Sequence, residues 1–181
     1  KEGKIHECKF ENGGKIIQKL TVIGECEENR TGTTVTFKPD PEIFDTDIYD
    51  YETLKTRTRE LAFLNKGLQL TLRDDRDDED TQGEKFLYEG GISEYVRFIN
   101  QGKTPVHDNI IHLSGEKDGI MFEVALQYNS GYSDNIYSFV NNINTHDGGT
   151  HEDGVKRALV RVINAYSRKN NILKDKDENL K

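Results

Sequence analysis

Several residue types that often stabilise or anchor proteins are scarce in this chain, and each scarcity excludes a class of protein. The 181 residues include no tryptophan, one methionine, three prolines and two cysteines. Cys8 and Cys26 lack the paired spacing of a zinc or redox site, and both lie in strand-like segments, which predicts two reduced thiols in the core. No apolar run approaches the roughly 20 residues of a membrane-spanning helix, and the first residues lack the apolar core of a signal peptide. We therefore expect a cytoplasmic protein with no membrane partner.

Excess positive charge is absent as well. The chain has 33 acidic and 25 basic residues, for a net charge of −8. Because Lys and Arg that neutralise phosphates supply most of the affinity of nucleic-acid-binding proteins, this balance argues against an overall basic nucleic-acid binder. A local basic face stays possible. A third of the residues are hydrophobic, enough for the core of one large domain or two small ones.

The first part of the chain has the pattern of a β-sheet. Residues 3–10 and 15–24 predict a hairpin, because the Glu-Asn-Gly-Gly sequence between them suits a turn with positive φ. Residues 33–38, Thr-Thr-Val-Thr-Phe-Lys, are β-branched and alternating, which predicts a strand that ends at Pro39.

A helix and a second hairpin are predicted next. Asp50 is placed as an N-cap before a helix with Leu54, Leu61 and Leu64 on one side, and Gly67 is placed to end it. Residues 68–73 and 84–88 predict paired strands. The acidic run at 74–80 between them lacks the glycine of a calcium loop, so a solvated hairpin tip is the better interpretation.

The second half of the chain has the pattern of a short helix, three strands and a long helix. Ile92, Tyr95, Val96 and Ile99 give a short amphipathic helix closed by Gly102. Residues 109–114, 119–128 and 135–140 predict three strands, and a long helix continues to about residue 169. The charged residues 174–179 lack an apolar face and should be mobile. The order predicts an α+β fold in two units with a boundary near residue 90.

The junction at 148–153, Gly-Gly-Thr-His-Glu-Asp, allows several kinds of site. His146, His151, Glu152 and Asp153 could ligate a metal, although zinc needs three or four convergent ligands. The glycines could bring backbone N–H groups to a phosphate, although no P-loop lysine follows. Thr150 with Asp153 fits a capping box with Asp in place of Glu. The pattern favours a capped helix start over a metal site, and no catalytic constellation emerges from the residues.

The long helix has two contrasting sides. The apolar residues recur at intervals of three and four; they are Val155, Ala158, Leu159, Val162, Ile163 and Tyr166. The basic residues lie away from them; they are Lys156, Arg157, Arg161, Arg168 and Lys169. Such a side is usually a solvated face, but in an acidic chain this local reversal of charge would also suit a phosphate backbone.

Eight short segments, in order along nearly the whole chain, carry a resemblance to a known family. They are 31–44 (TGTTVTFKPDPEIF), 59–67 (RELAFLNKG), 88–92 (YEGGI), 116–119 (EKDG), 123–128 (EVALQY), 135–139 (NIYSF), 141–143 (NNI) and 148–152 (GGTHE). Together they resemble the B subunit of bacterial DNA gyrase, and the ATPase subunit of topoisomerase IV shares most of them.

The resemblance implies a fold and a set of contacts. Residues 1–89 resemble the C-terminal part of a GHKL (Bergerat) ATPase sandwich, and residues 90–181 resemble the start of a ribosomal S5 domain 2-like transducer domain. Thr33 would hold the adenine edge through its hydroxyl and a water, and Val35 would line the base and aminocoumarin pocket. Lys156 matches a basic residue that faces the DNA cavity, with Arg157 and Arg161 as neighbours.

The resemblance also implies what this chain does not do by itself. The family's general-base glutamate, magnesium-binding asparagine, adenine-binding aspartate and glycine-rich ATP lid precede the matching region, and its Gln-Thr-Lys loop follows it. We therefore expect no catalytic residue in this chain, weak nucleotide binding at best and no hydrolysis. The full subunit would use ATP and Mg²⁺, bind DNA and the gyrase A subunit, and dimerise with ATP.

Two other hypotheses come from different classes. A non-catalytic binding module would use the basic helix or the acidic hairpin to meet a partner. A metal-dependent hydrolase would contain zinc, and we expect none.

Overall fold

The computed structural model describes residues 1–76, 82–174 and 176–180. The chain forms two compact units, Lys1–Leu54 and Lys55–Lys181. The described residues contain three helices and four antiparallel hairpins, each hairpin pairing two strands that are adjacent in sequence. The α+β fold class is therefore confirmed. The boundary predicted near residue 90 falls inside the second unit and stays a prediction.

The first unit is built on the predicted hairpin of β1 (Lys4–Glu11) and β2 (Lys15–Glu25). Its turn has positive φ at Asn12 and Gly13, as the sequence requires. Apolar side chains along β2, such as Leu20 at 70 % exposure, face solvent. None of residues 1–54, all of which the structure describes, is fully buried. Since a two-stranded hairpin alone is at best marginally stable, these faces are suited to be covered by further structure.

The strand predicted at residues 33–38 is wrong. The segment is irregular, and Val35 and Phe37 are 78 % and 63 % exposed. The Phe37 ring contacts the edge of Tyr49, with 5.5 Å between centroids. An alternating β-branched sequence favours an extended backbone, but a strand also needs a hydrogen-bonded neighbour. No described strand pairs with this segment.

Helix α1 (Tyr51–Leu64) begins and ends as predicted. The Asp50 carboxylate accepts the Thr53 backbone N–H at 2.7 Å and the Thr53 hydroxyl at 2.6 Å, which is the N-cap arrangement. Past the helix, Gly67 has φ of 76° and donates its N–H to the Tyr88 carbonyl. This left-handed conformation suits glycine and turns the chain away from the helix axis.

The second predicted hairpin is also present, as β3 (Leu70–Asp74) and β4 (Gln82–Phe86). Residues 77–81 of the acidic run lie outside the described part of the chain. At its start, hydrogen bonds from the Arg76 side chain and backbone lower the pKa of Asp74 to about 2. The acidic run thus begins with a locally paired carboxylate.

The core of the second unit lies where α1 meets α2 (Ile92–Ile99). Among the described residues, the buried apolar side chains of the core are Ala62, Phe63, Phe86 and Tyr95. The Tyr95 hydroxyl donates to the Glu60 carboxylate at 3.1 Å, and burial, followed by that carboxylate, raises the pKa of Tyr95. A buried hydroxyl with a partner keeps the aromatic core free of an unsatisfied polar group.

Two further hairpins and a long helix complete the second unit. The strands predicted at 109–114 and 119–128 are present as β5 (Ile111–Lys117) and β6 (Ile120–Leu126), which pair with each other. Of the strand predicted at 135–140, β7 (Phe139–Val140) alone is formed, and it pairs with β8 (Ile143–Asn144). α3 (Thr150–Lys169) has the predicted extent. No helix in the described residues is long and apolar enough to cross a membrane.

The predicted core thiols need correction. Both cysteines are free, but Cys8 is exposed on β1 and Cys26 is partly exposed. Cys8 lies in β1 and Cys26 directly follows β2, and no residue of this hairpin is buried, so neither thiol reaches a core.

Candidate functional site

The site is built around the start of α3 and the β7–β8 hairpin that precedes it. Asn141 and Asn142 have φ of 49° and 65° and form the two-residue turn of this hairpin. Two positive φ values suit a type I′ turn, which asparagine tolerates. The turn brings Ser138 and Thr145 together on either side of the hairpin, and the Thr145 N–H donates to the Ser138 carbonyl at 2.8 Å.

From this pair a line of polar contacts runs into the first turns of α3. The Ser138 hydroxyl lies 2.7 Å from the Thr145 hydroxyl and 2.9 Å from a Glu152 carboxylate oxygen. Since a serine has one hydroxyl proton and a carboxylate can accept but not donate, Ser138 donates to Glu152. The other Glu152 oxygen lies 2.6 Å from the Lys156 ammonium. On the opposite side, Thr145 lies 3.1 Å from the Nε2 of His151.

These contacts shift the pKa values of both members of the Glu152–Lys156 ion pair. The Lys156 ammonium, followed by the Ser138 hydroxyl, lowers the pKa of Glu152. Glu152 in turn raises the pKa of Lys156, against a smaller opposing effect of burial. The Glu152 side chain is 19 % exposed and the Lys156 side chain 52 %. The carboxylate is therefore fixed between two partners, while the ammonium still reaches solvent.

The capping-box prediction for Thr150 and Asp153 is wrong. Gly149 is the N-cap, with φ of 156°, and no side chain caps the helix. The His151 ring occupies the space beside Gly149, where an added Cβ would come within 2.8 Å of it. Glu152 and Asp153 still suit the positive end of the helix dipole, as expected.

The structure does not assemble the metal site considered from sequence. No group of three or more His, Cys, Asp or Glu side chains in the described residues is placed to hold a metal. Glu152 is held by a lysine and a serine, and His151 lies against a threonine. This polar cluster connects elements of the fold and contains no convergent ligand set.

The basic side of α3 lines a groove of about 490 Å³. Lys156, Arg157 and Arg161 are all exposed there. Val160 and Asn164 lie beside them on the helix, and the far wall is formed by Asn179 and Leu180. The spacing i, i+1, i+4, i+5 and i+8 places the five helix residues on one face. The structure therefore brings together the three basic residues singled out from sequence.

The far wall includes Asn179, which belongs to the segment 174–179 that the sequence predicted to be mobile. Asn164 pairs with the backbone of Leu180 through two bonds, from its amide to the carbonyl at 2.9 Å and from the Leu180 N–H to its oxygen at 2.8 Å. Arg168 donates to the carbonyls of Lys174 and Asp177. The tail is thus folded back along α3 and held by two side chains.

The buried side of α3 differs from the apolar stripe predicted from sequence. Asn164 and Ser167 are the buried residues of this helix, whereas Val155, Val162 and Tyr166 are 40 %, 60 % and 62 % exposed. The returning tail bonds to Asn164 and to the Ser167 carbonyl, whereas Val155, Val162 and Tyr166 stay open and the rest of the apolar stripe is partly buried. Sequence reasoning missed Ser138, Thr145 and Asn164, because none of these residues repeats with the apolar period of its segment.

Comparison with known proteins identifies the family. The family model described as DNA gyrase B matches residues 91–181. Gyrase B subunits from Bacillus mycoides and Halalkalibacterium halodurans are 56 % and 50 % identical to this chain over 99 % of its length. The chain belongs to the DNA gyrase B family. It spans 44 % and 28 % of the lengths of those two gyrase B relatives.

Solved structures show the same fold. The 43K ATPase domain of Thermus thermophilus gyrase B, solved in complex with an aminocoumarin, superposes with a TM-score of 0.77 at 35 % identity. The match covers 97 % of this chain and 47 % of that one. Gyrase B from Myxococcus xanthus matches with a TM-score of 0.68 at 22 % identity, over 85 % of this chain and 44 % of that one, which supports the fold alone. The fold expected from the gyrase B resemblance is confirmed.

The two residues that the gyrase B resemblance placed at the nucleotide lie in the first unit, apart from the α3 site in sequence. Thr33 and Val35 are both exposed on the irregular segment after Gly32. A hydroxyl and an apolar side chain two residues apart can offer a base one polar and one apolar contact. Both side chains are accessible for such contacts.

The Glu152–Lys156 pair predicts a pH-dependent contribution to stability. The lowered Glu152 pKa means that this contribution is present above its unfolded value near 4.5 and is lost as pH falls through the folded value. The raised Lys156 pKa preserves the pair up to its unfolded value near 10.5, and the contribution is lost as pH rises through the folded value. A carbon-13 titration of the Glu152 carboxyl should give a lower pKa in the parent than in Lys156→Gln. Equal values would contradict the pairing.

Proposed function

We propose that this chain is part of a DNA gyrase B subunit, a type II topoisomerase subunit in which ATP binding and hydrolysis drive DNA strand passage and negative supercoiling. The observation that carries the proposal is the 56 % identity to a gyrase B subunit over 99 % of the chain. The similarity to a gyrase B ATPase domain supports the use of ATP. Within this subunit the chain transmits a signal and does not itself catalyse hydrolysis.

The proposed division places the end of the ATP-binding domain at residues 1–89 and the start of the transducer domain at 90–181. The family model begins at residue 91, beside the Gly90-Gly91 break. Gly91 has φ of 59° and is the N-cap of α2, so the chain changes direction at this break. These two features support the boundary.

For the nucleotide, Thr33 would supply a hydroxyl to the adenine edge and Val35 an apolar surface to the base. ATP when bound would supply the free energy of hydrolysis, with Mg²⁺ bound to its phosphates. No described group of acidic or histidine side chains fits a metal, so we assign no magnesium ligand here. The aminocoumarin bound to the Thermus thermophilus ATPase domain supports a ligand pocket in this fold.

Shortening Val35 should weaken this pocket. In the full-length protein, Val35→Ala removes two methyl groups from the base contact and should raise the Kd for ATP about fivefold. Ile48 is a matched control, because it is also 78 % exposed in the same unit, and Ile48→Ala should leave the Kd unchanged. Calorimetric titration with a non-hydrolysable ATP analogue measures both. Equal effects of the two changes would argue against a contact between Val35 and the base.

For DNA, we propose that Lys156, Arg157 and Arg161 face a passing duplex. The geometry supports this role, because the three exposed cations line one groove on one face of α3. Cations on a helix neutralise phosphates without reading the base sequence, which suits an enzyme that passes any DNA segment. The rest of the acidic chain would repel DNA, so this groove would be the favoured point of contact.

The direct test is a supercoiling assay on the full-length cytoplasmic protein. Combined with a gyrase A subunit, ATP and Mg²⁺, it should introduce negative supercoils into relaxed plasmid, and an ATP-dependent dimer of the B subunit should form. Relaxation and decatenation without supercoiling would instead indicate topoisomerase IV. The 181-residue chain alone should show no ATP hydrolysis, and turnover that survives further purification would contradict its assignment as a transmitting part.

A further inference from the structure

Lys156 differs from the other cations of the groove in how it is held. Its ammonium lies 2.6 Å from the Glu152 carboxylate, one helical turn earlier. An exposed pair at this spacing is usually weak, because two flexible side chains must be ordered together. Here, however, Glu152 is 19 % exposed and accepts a second hydrogen bond from Ser138. One partner is thus fixed before the pair forms.

Ser138, which anchors Glu152, is itself held in place by the β7–β8 hairpin. The Ser138 oxygen lies 2.7 Å from the Thr145 hydroxyl, and the Thr145 N–H donates to the Ser138 carbonyl. The position of Glu152, and through it that of Lys156, therefore depends on how β7 and β8 are paired. If the Glu152 carboxylate moved away from Lys156, it would have to break its hydrogen bond to Ser138 or rotate about that bond.

We infer that Glu152 is a positioning residue that competes with DNA phosphate for Lys156 and so limits how strongly the groove binds a duplex. This inference rests on the proposed function, in which Lys156 faces DNA. A phosphate that approaches Lys156 must replace a fixed carboxylate, while Arg157 and Arg161 keep their exposure to solvent. Weak binding suits a channel through which DNA passes, because a tightly held segment would be released slowly.

The inference predicts a change in the salt dependence of DNA binding. Glu152→Gln keeps an oxygen to accept from Ser138 but no longer holds the ammonium as an ion pair. Lys156 then becomes available for one more phosphate contact, which should steepen the slope of log K against log salt by about 0.9. The affinity gain over the parent should therefore shrink about threefold to fourfold between roughly 50 and 200 mM salt.

The experiment measures binding of a labelled linear duplex to the full-length protein by fluorescence anisotropy across this salt range. Asp153→Asn is the matched control, because Asp153 is the adjacent exposed acid in the same helical turn. The control removes the same charge without freeing Lys156 from its ion pair and should leave the slope unchanged. Thermal unfolding of each variant checks that the fold is retained.

A double-variant cycle separates the inference from general electrostatics. The gain from Glu152→Gln should disappear when Lys156 is already glutamine, because the residue that it frees is absent. A gain that persists in that background, or one matched by Asp153→Asn in both affinity and slope, would overturn the inference. If Lys156→Gln leaves DNA affinity and slope unchanged both alone and in the Glu152→Gln background, the proposed DNA contact itself fails.

Ser138→Ala tests the anchor without a change in charge. Loss of the serine hydroxyl leaves Glu152 as an unanchored partner, so the slope should steepen in the same direction as in Glu152→Gln but by less. An unchanged slope would show that Ser138 does not set the competition.

Discussion

Replacing Asn164 with aspartate should lower the free energy of local opening of the α3–tail contact by about 3 kcal/mol. The Asn164 amide donates to the carbonyls of Val160 and Leu180, both at 2.9 Å, and its oxygen accepts the Leu180 N–H. Asn164 is 8 % exposed. Aspartate would turn both donations into contacts between a carboxylate and a carbonyl oxygen in a nearly closed site.

Asn170→Asp is the matched control for this change. Asn170 also donates its amide to the carbonyl four residues earlier, that of Tyr166, at 2.8 Å, but it is exposed. Its replacement should cost less than about 1 kcal/mol, mainly from a negative charge near the helix C-terminus. Hydrogen exchange in the full-length protein, followed over residues 160–180, measures both. Similar losses would show that the Asn164–Leu180 pairing does not hold the tail.

Shortening Phe63 to alanine should cost about 4 kcal/mol. Phe63 is 1 % exposed, and its ring stacks on Tyr88 and Tyr95 with centroids 3.6 and 4.9 Å away. Phe98 lies at 5.5 Å. The change removes one large side chain and leaves a cavity between α1 and α2 that the stacked rings cannot fill without losing their own contacts.

Phe98→Ala provides the graded comparison, since Phe98 belongs to the same cluster but is 37 % exposed. It should cost less than half as much, because water already reaches one side of the ring. Denaturant unfolding monitored by hydrogen exchange within α1 distinguishes the two changes. If Phe63→Ala and Phe98→Ala lowered the stability equally, Phe63 would not be the centre of the aromatic cluster.

Residues that act through local geometry could be predicted from the sequence. The turn at Asn12 and Gly13, the N-cap at Asp50 and the helix exit at Gly67 each depend on a few neighbouring residues, and all three are confirmed. The extent of α3 could likewise be predicted, because apolar residues recur at intervals of three and four along this segment. The basic face at Lys156 and Arg161 followed from the same helical spacing.

Features that depend on distant partners could not be predicted this way. The segment at 33–38 has a strand sequence but no described neighbour to pair with. Thr150 has a cap sequence, but Gly149 takes the N-cap position, and the His151 ring occupies the space beside it. Ser138 and Glu152 meet through the β7–β8 turn, and neither residue indicates the other in sequence.

We propose that α3 transmits contact with DNA and takes no part in the hydrolysis of ATP. Lys156→Gln in the full-length protein, assembled with a gyrase A subunit, tests it through ATP turnover with and without DNA. Lys169→Gln, at the exposed end of the same helix, is the control and should change neither rate. We expect Lys156→Gln to leave turnover without DNA unchanged and to reduce its stimulation by DNA. An equal fall in both rates, or no change in the stimulation, would contradict the claim.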